Sequence, residues 1–135
     1  MKKRITLLML SVVLVLAMAV TASAEWSKKI TANVPNFNGS YFTPATERTT
    51  KSTDDTQCTF QTYSNQAKWP FGVDGRIVNS NHDARSDWVR NMYSNTTLYA
   101  PCWATKNYYA YAELSTDLLE PQWITVSFRF SPDSE

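Results

Sequence analysis

The pattern of apolar and polar positions divides the chain into two parts of different character. Residues 5–20 form a nearly continuous apolar run, preceded by Lys-Lys-Arg at 2–4 and followed by Thr-Ala-Ser-Ala at 21–24. A basic start, a short apolar stretch and a small-x-small exit are typical of a secretory signal peptide, whereas a membrane-spanning helix needs about 20 apolar residues. We therefore predict a signal peptide over residues 1–24. A secreted domain follows over residues 25–135, with no transmembrane anchor in the mature chain.

The clearest element of the secreted part lies near its end. In residues 123–130 (WITVSFRF), apolar and polar side chains alternate strictly from Ile124 onward, which predicts a half-buried β-strand, and Pro132 marks its end. Five other segments carry weaker strand patterns: Lys29–Pro35, Thr56–Tyr63, Val73–Asn79, Thr96–Trp103 and Tyr108–Ser115. Turn-forming residues separate them. The pattern predicts an all-β fold, a single small antiparallel β-sandwich of six to eight strands.

Two segments fit this pattern less well. In residues 82–93, Ala84, Trp88 and Met92 have helical spacing, yet the same residues also fit a strand, so we predict either a strand or one short helix. Residues 47–56 (ERTTKSTDDT) are polar throughout and are predicted to form the most mobile loop. No internal repeat or linker indicates a second domain.

Composition changes the picture of the core. All five Trp, seven Tyr and six Phe follow residue 24, while Leu, Ile and Val are few there. Each aromatic ring can bury roughly 150–250 Å². Two interpretations stay open: the rings fill the core in place of aliphatic side chains, or part of them lie exposed and bind a ligand.

The charge of the mature chain is small. Three of the 13 Lys and Arg residues lie in the leader, which leaves 10 against 12 Asp and Glu, a net charge of −2. Nucleic-acid binding needs concentrated basic side chains. We therefore predict no nucleic-acid partner.

Two cysteines remain in the secreted part, Cys58 and Cys102. A secreted location permits oxidation, and a single pair allows one intramolecular connection. We predict a structural Cys58–Cys102 disulfide. Free thiols, a metal pair or an intermolecular bridge are the alternatives.

Residues for catalysis or for a cofactor do not form a recognisable motif. His82 is the sole histidine and lies in the polar stretch SNHDARSD, with no nucleophile motif near it. A catalytic zinc ion needs three protein ligands, and the acidic residues match no calcium-loop pattern. We therefore assign no catalytic residue, no metal ligand and no cofactor.

Several stretches together resemble a known group. They are the segment from Tyr41 to Thr50, the segment Ser86–Val89, the tyrosine-rich strand at 108–115 and the ending Phe130–Ser134. They resemble small secreted proteins of unknown function from Gram-positive bacteria, which are similar in pattern to the lactococcin-like bacteriocins. The resemblance implies a small secreted β-sandwich that acts on the envelopes of neighbouring cells. It transfers no functional residue.

These observations favour a secreted, non-enzymatic binding protein whose partner is a cell-wall or envelope component, or another extracellular protein. The candidate binding rings are Trp69, Phe71, Trp103, Tyr108, Tyr109 and Tyr111. One alternative is a secreted enzyme inhibitor with a rigid loop at Ala100–Cys102, or a small hydrolase that uses His82. Another is a structural component of the envelope or matrix.

The leader prediction has a direct test. N-terminal sequencing of protein recovered from the culture medium of a bacterial host should start at Glu25, and Ala24→Arg should prevent cleavage because the exit needs a small residue. Ser23→Thr, between the two small positions, should leave processing unchanged. Intact protein starting at Met1 in the medium would contradict the prediction.

Overall fold

A computed structural model describes residues 23–134, and these residues contain two antiparallel sheets. The strands are β1 (Ile30–Val34), β2 (Ser40–Phe42), β3 (Thr49–Thr50), β4 (Gln57–Asn65), β5 (Val73–Val78), β6 (Thr96–Pro101), β7 (Tyr109–Thr116) and β8 (Ile124–Ser131). A 3-10 turn, Ala45–Glu47, lies between β2 and β3. The predicted all-β fold is confirmed.

The predicted signal peptide, apart from Ser23 and Ala24, lies outside the described residues. Within 23–134, no helix is long and apolar enough to cross a membrane.

The first sheet has the order β1-β8-β4-β6. One of its two inner strands, β8, is the segment with strict alternation, and Ile124, Val126, Phe128 and Phe130 all lie buried on one face. Period-two patterning therefore located this strand correctly, because one face of the sheet packs inward.

The second sheet is built around β7. Strand β5 pairs with residues 111–116 of β7, β2 with residues 113–115, and β3 with residues 109–110. Strands β2 and β3 were not predicted, because segments of three residues (SYF) and two residues (TT) are too short to carry a pattern. Pairing with β7, and not local propensity, fixes them as strands.

Residues 84–92 connect the open edges of the two sheets. Gly75 and Val89 exchange backbone hydrogen bonds of 2.9 and 2.7 Å, and the Trp103 N–H donates to the Arg85 carbonyl at 2.8 Å. The segment is extended, with isolated bridges and no helix. Of the two structures predicted for it, the strand-like one is closer. It closes one side of the sandwich.

Phenylalanine rings occupy the centre of the core. Phe60, Phe128 and Phe130 stack with centroid distances of 6.0–6.4 Å. From the opposite sheet, Gly75 approaches them closely, since a Cβ at this position would lie 2.9 Å from the Phe60 ring. Three phenylalanines therefore form the centre of a core whose other members are mostly aliphatic, and none of the three is a predicted binding ring.

The prediction of a Cys58–Cys102 disulfide is wrong for this structure, in which both cysteines are buried free thiols. Cys58 lies opposite Ala100, and its thiol donates a hydrogen bond to the Ala100 carbonyl at 3.5 Å. Cys102 lies further along the ladder, where its N–H bonds to the Thr56 carbonyl at 2.7 Å. The two are diagonal neighbours, which are about 7–8 Å apart at Cα, beyond the roughly 4.4–6.8 Å that a disulfide spans.

Thiol titration tests this arrangement. With DTNB and no reductant, we expect no reaction of the folded protein and reaction of both cysteines after denaturation, because burial shields the thiols. Cys102→Ala should leave one reactive thiol after denaturation. A protein that shows no thiol in either state would contain the disulfide and contradict the structure.

A buried ion pair joins the two sheets at one end of the sandwich. Lys51 follows β3 of the second sheet and Asp133 follows β8 of the first, and their side chains are 2% and 0% exposed. The Lys51 Nζ donates to Asp133 Oδ1 at 2.8 Å, to the Pro132 carbonyl at 2.8 Å and to the Asp55 carbonyl at 2.5 Å. The loop predicted to be most mobile is thus tied to the C-terminal segment.

The carboxylate of Asp133 is fully hydrogen-bonded. It also accepts bonds from the backbone N–H and the hydroxyl of both Ser52 and Thr53. Burial alone would raise the pKa of Asp133, but the bonds from Lys51, Thr53 and Ser52 outweigh burial and lower the pKa from 3.8 to about 2.

Replacing Asp133 should destabilise the protein strongly. Asp133→Asn leaves the Lys51 charge buried without a counterion, a change that costs about 3–5 kcal/mol. The matched control is Asp54→Asn in the exposed Asp54–Lys106 pair, which should cost at most about 1 kcal/mol. Urea unfolding at pH 7 measures both. Equal effects would contradict a central role for the buried pair.

Asp133→Asn should also change how the free energy of unfolding depends on pH. Because folding lowers the pKa of Asp133, its carboxylate stabilises the fold fully above pH of about 4 and loses this contribution as the pH falls through about 2. The free energy of unfolding of the wild type should therefore fall more steeply over this interval than that of Asp133→Asn.

Candidate binding surfaces

The structure separates the predicted binding rings into two groups at opposite ends of β7. Trp69 and Phe71 lie in the β4–β5 connection, beside the end of β7 at Thr116. Trp103, Tyr108, Tyr109 and Tyr111 lie at or near its start. An eight-residue strand places its two ends roughly 24 Å apart. The rings therefore form two candidate surfaces and not one.

The first surface, the apolar loop end, is formed by the connections at residues 35–39, 66–72 and 117–123. Large apolar side chains on these three loops are 60–84% exposed: Phe37, Trp69, Leu118, Leu119 and Trp123. Trp69 is the most exposed of them, and Phe71 beside it is half-buried. Sequence reasoning missed the other four. Phe37, Leu118 and Leu119 carried a signal, since each is an apolar residue within or next to a turn-forming stretch, where no core demands it. Trp123 belonged to the strand predicted over residues 123–130.

Hydrogen bonds hold these loops to one another. The Phe37 N–H donates to the Glu120 carbonyl at 2.9 Å and the Asn38 N–H to the Asp117 carbonyl at 3.1 Å. The Gly72 N–H donates to Asp117 Oδ2 at 2.8 Å. The carboxylate of Asp117 thus accepts a hydrogen bond from a neighbouring loop. Hydrogen bonds of this kind hold together the three loops that carry the exposed apolar side chains.

Phe37 has an unfavourable backbone conformation. Phe37 and Asn38 both have left-handed geometry, with φ of 51° and 61°, and the Gly39 N–H bonds to the Asn36 carbonyl at 3.1 Å. This is a tight turn that favours Gly or Asn at both central positions, and a bulky residue there is strained. Strain of this kind costs about 1–3 kcal/mol. An exposed phenylalanine in this position does not serve stability.

The second surface, the tyrosine pocket, is a cavity of about 320 Å³. Alternation along β7 directs Ala110 and Ala112 into the core and places Tyr109 and Tyr111 on the outer face. Further lining comes from the end of β5 and from the segments that follow β5 and β6: Val78, Asn79, Ser80, Arg85, Thr105 and Tyr108. Trp103 is exposed beside the pocket but does not line it.

A cation fixes one tyrosine of the pocket. The Arg48 guanidinium lies 3.6 Å from the centroid of the Tyr109 ring. Hydrogen bonding to Tyr111, and to a lesser degree to Tyr109, raises the pKa of Arg48 above its usual value. Stacking between a guanidinium and an aromatic face restricts both side chains. Tyr109 is therefore held in place while 55% of its surface stays exposed, and Tyr108 is 69% exposed.

The opposite wall of the pocket is also fixed. Asn79 Oδ1 accepts bonds from the N–H groups of Asn81 and Asp83, both at 2.9 Å. Arg85 donates from Nη1 to the Ala84 carbonyl at 2.9 Å, and its Nη2 lies 3.9 Å from the Asp83 carboxylate. The charge of Arg85 therefore has a partner already.

The residues considered for the enzyme and inhibitor alternatives lie elsewhere. The ring of His82 stacks on Phe42 with a centroid distance of 3.8 Å. Ala100 and Pro101 belong to β6, and Cys102 continues its ladder, so this segment is not a protruding loop. Among residues 23–134, no three His, Cys, Asp or Glu side chains are grouped to hold a metal ion.

Comparison with protein families, with characterised proteins and with solved structures finds no match for this chain. The resemblance to lactococcin-like bacteriocins therefore stays a prediction from the sequence. The proposed function therefore rests on the geometry of the two surfaces.

Proposed function

We propose that this protein is a secreted, non-enzymatic binding protein that attaches to the bacterial cell envelope, where its apolar loop end enters the lipid surface of the membrane. The observation that supports this most is the grouping of five exposed, large apolar side chains on three braced loops. Monomeric soluble proteins rarely expose grouped apolar side chains unless they mark an interaction site.

The apolar loop end is costly to the chain. Only four leucines follow the predicted leader, and two of them, Leu118 and Leu119, are 68% and 71% exposed. Burying a leucine side chain contributes about 1.5–3 kcal/mol. A chain with few leucines that exposes half of them to water gains nothing for folding from that placement. Binding accounts for this placement.

The shape and chemistry of the loop end favour a lipid surface as the partner. Its five exposed apolar side chains lie on three separate loops, and of the five only Trp69 lines the cavity of about 230 Å³ at this end. Tryptophan and phenylalanine suit the boundary between headgroups and acyl chains, because they combine a large apolar ring with, in tryptophan, a polar N–H. Lys68, directly before Trp69, is exposed and suits anionic headgroups. Asp117 and Glu120 accept bonds from backbone amides of the same end.

Vesicle binding tests this proposal. The purified protein should cosediment with vesicles of phosphatidylcholine and phosphatidylglycerol, with a blue shift of tryptophan fluorescence. The double variant Trp69→Ala/Leu119→Ser should bind at least about tenfold more weakly, because it removes two large anchors from separate loops.

Trp103→Ala is the matched control, since Trp103 is an exposed tryptophan outside the apolar loop end, 53% exposed against 84% for Trp69. It should bind vesicles like the wild type. Equal loss in both variants, or no binding to any vesicle, would contradict the lipid partner. Binding to purified cell wall or to an extracellular protein, lost in the double variant alone, would assign the same surface to that partner instead.

A further inference from the structure

The tyrosine pocket carries an inference that does not rest on the proposed attachment to lipid. We infer that it is a binding site for a neutral saccharide. The pocket lies at the other end of β7, and no residue of the apolar loop end lines it.

The aromatic part of the pocket suits a sugar ring. A pyranose has an apolar face of C–H groups and a rim of hydroxyls, so it packs against an aromatic ring and forms hydrogen bonds around it. Tyr108 and Tyr109 are more than half exposed at the pocket. Aromatic side chains with a polar group are well suited to such mixed contacts.

The charge state of the pocket indicates a neutral ligand. Arg85 is the charged residue among those that line the pocket; it donates to the Ala84 carbonyl and lies 3.9 Å from the Asp83 carboxylate, whereas Arg48 lies over the Tyr109 ring and does not line the pocket. An anionic ligand such as a nucleotide would need cations that are not already paired. The remaining polar lining includes the hydroxyls of Ser80 and Thr105, which donate and accept hydrogen bonds as sugar hydroxyls do.

The side chains and the turn that line the pocket are already ordered before a ligand binds, which favours binding of a ligand that makes only weak contacts. Arg48 fixes Tyr109, and the bonds of Asn79 fix the 79–83 turn. Side chains that are already ordered lose little entropy when the ligand arrives. The volume of about 320 Å³ lies at the lower end of the range for ligand pockets and fits the end of a glycan better than a long stretch of it.

The experiment uses four soluble probes: chitohexaose, cellohexaose, maltohexaose and mannohexaose. Titration of the purified protein by calorimetry and by amide NMR should show binding of at least one probe, with shifts at residues 78–80 and 104–111. Tyr109→Ala should weaken that binding at least about tenfold, as loss of a central aromatic anchor does. Arg48→Ala should weaken it less, by releasing the Tyr109 ring.

Tyr99→Ala is the matched control, because Tyr99 is 50% exposed on β6 and does not line the pocket. Its affinity should equal that of the wild type, and melting curves should show that all variants fold. No binding of any probe up to about 10 mM, or binding that survives Tyr109→Ala, overturns the inference. The Trp69→Ala/Leu119→Ser variant should bind the saccharide normally, so failure of this site and failure of the lipid site are separate results.

Discussion

The buried pair of Lys51 and Asp133 is the contact on which the tyrosine end of the molecule depends. Lys51 follows β3 of the second sheet and Asp133 follows β8 of the first, so the pair holds the two sheets together at this end of the sandwich. The backbone of Lys51 also bonds to Tyr108 and Asn107, at 3.0 and 2.7 Å. Its side chain therefore anchors one sheet while its main chain positions the turn that carries the pocket. The carboxylate is satisfied by five donors, which is what makes a charge tolerable at such depth.

Much of the fold could be predicted from the sequence because the long strands have one buried face. The alternation of residues 123–130 survives in the structure as the burial pattern of β8. Strands β2 and β3 could not be predicted, since they exist only through pairing with β7. In residues 82–93 the sequence left a strand and a helix open for a similar reason: Met92 packs into the core while Trp88 lies outside, near Arg76 and Arg90. Contacts with distant strands, and not local periodicity, decide this segment.

The candidate sites were less accessible to sequence reasoning. Composition indicated more aromatic rings than the core needs, but not which of them are exposed. In the structure, three phenylalanines lie in the core and most tryptophans and tyrosines lie at the surface. Alternation did separate Tyr109 and Tyr111 from Ala110. The loop residues Phe37, Leu118 and Leu119 fell outside any strand pattern, and Trp123 stood at the start of the strand predicted over residues 123–130. The cysteine pairing failed because counting thiols says nothing about register, and a shift of two positions along a ladder is enough to prevent a bond.

The arrangement of the two surfaces constrains how they can work together. The apolar loop end and the tyrosine pocket lie at opposite ends of β7, and a packed core with an eight-residue central strand keeps them there. One flat surface cannot engage both ends at the same time. A molecule that binds lipid at one end and a saccharide at the other would instead stand between a membrane and a glycan layer, and each contact would raise the effective concentration for the other. Two weak sites of different chemistry then suffice for retention at an envelope, without any deep or highly charged pocket.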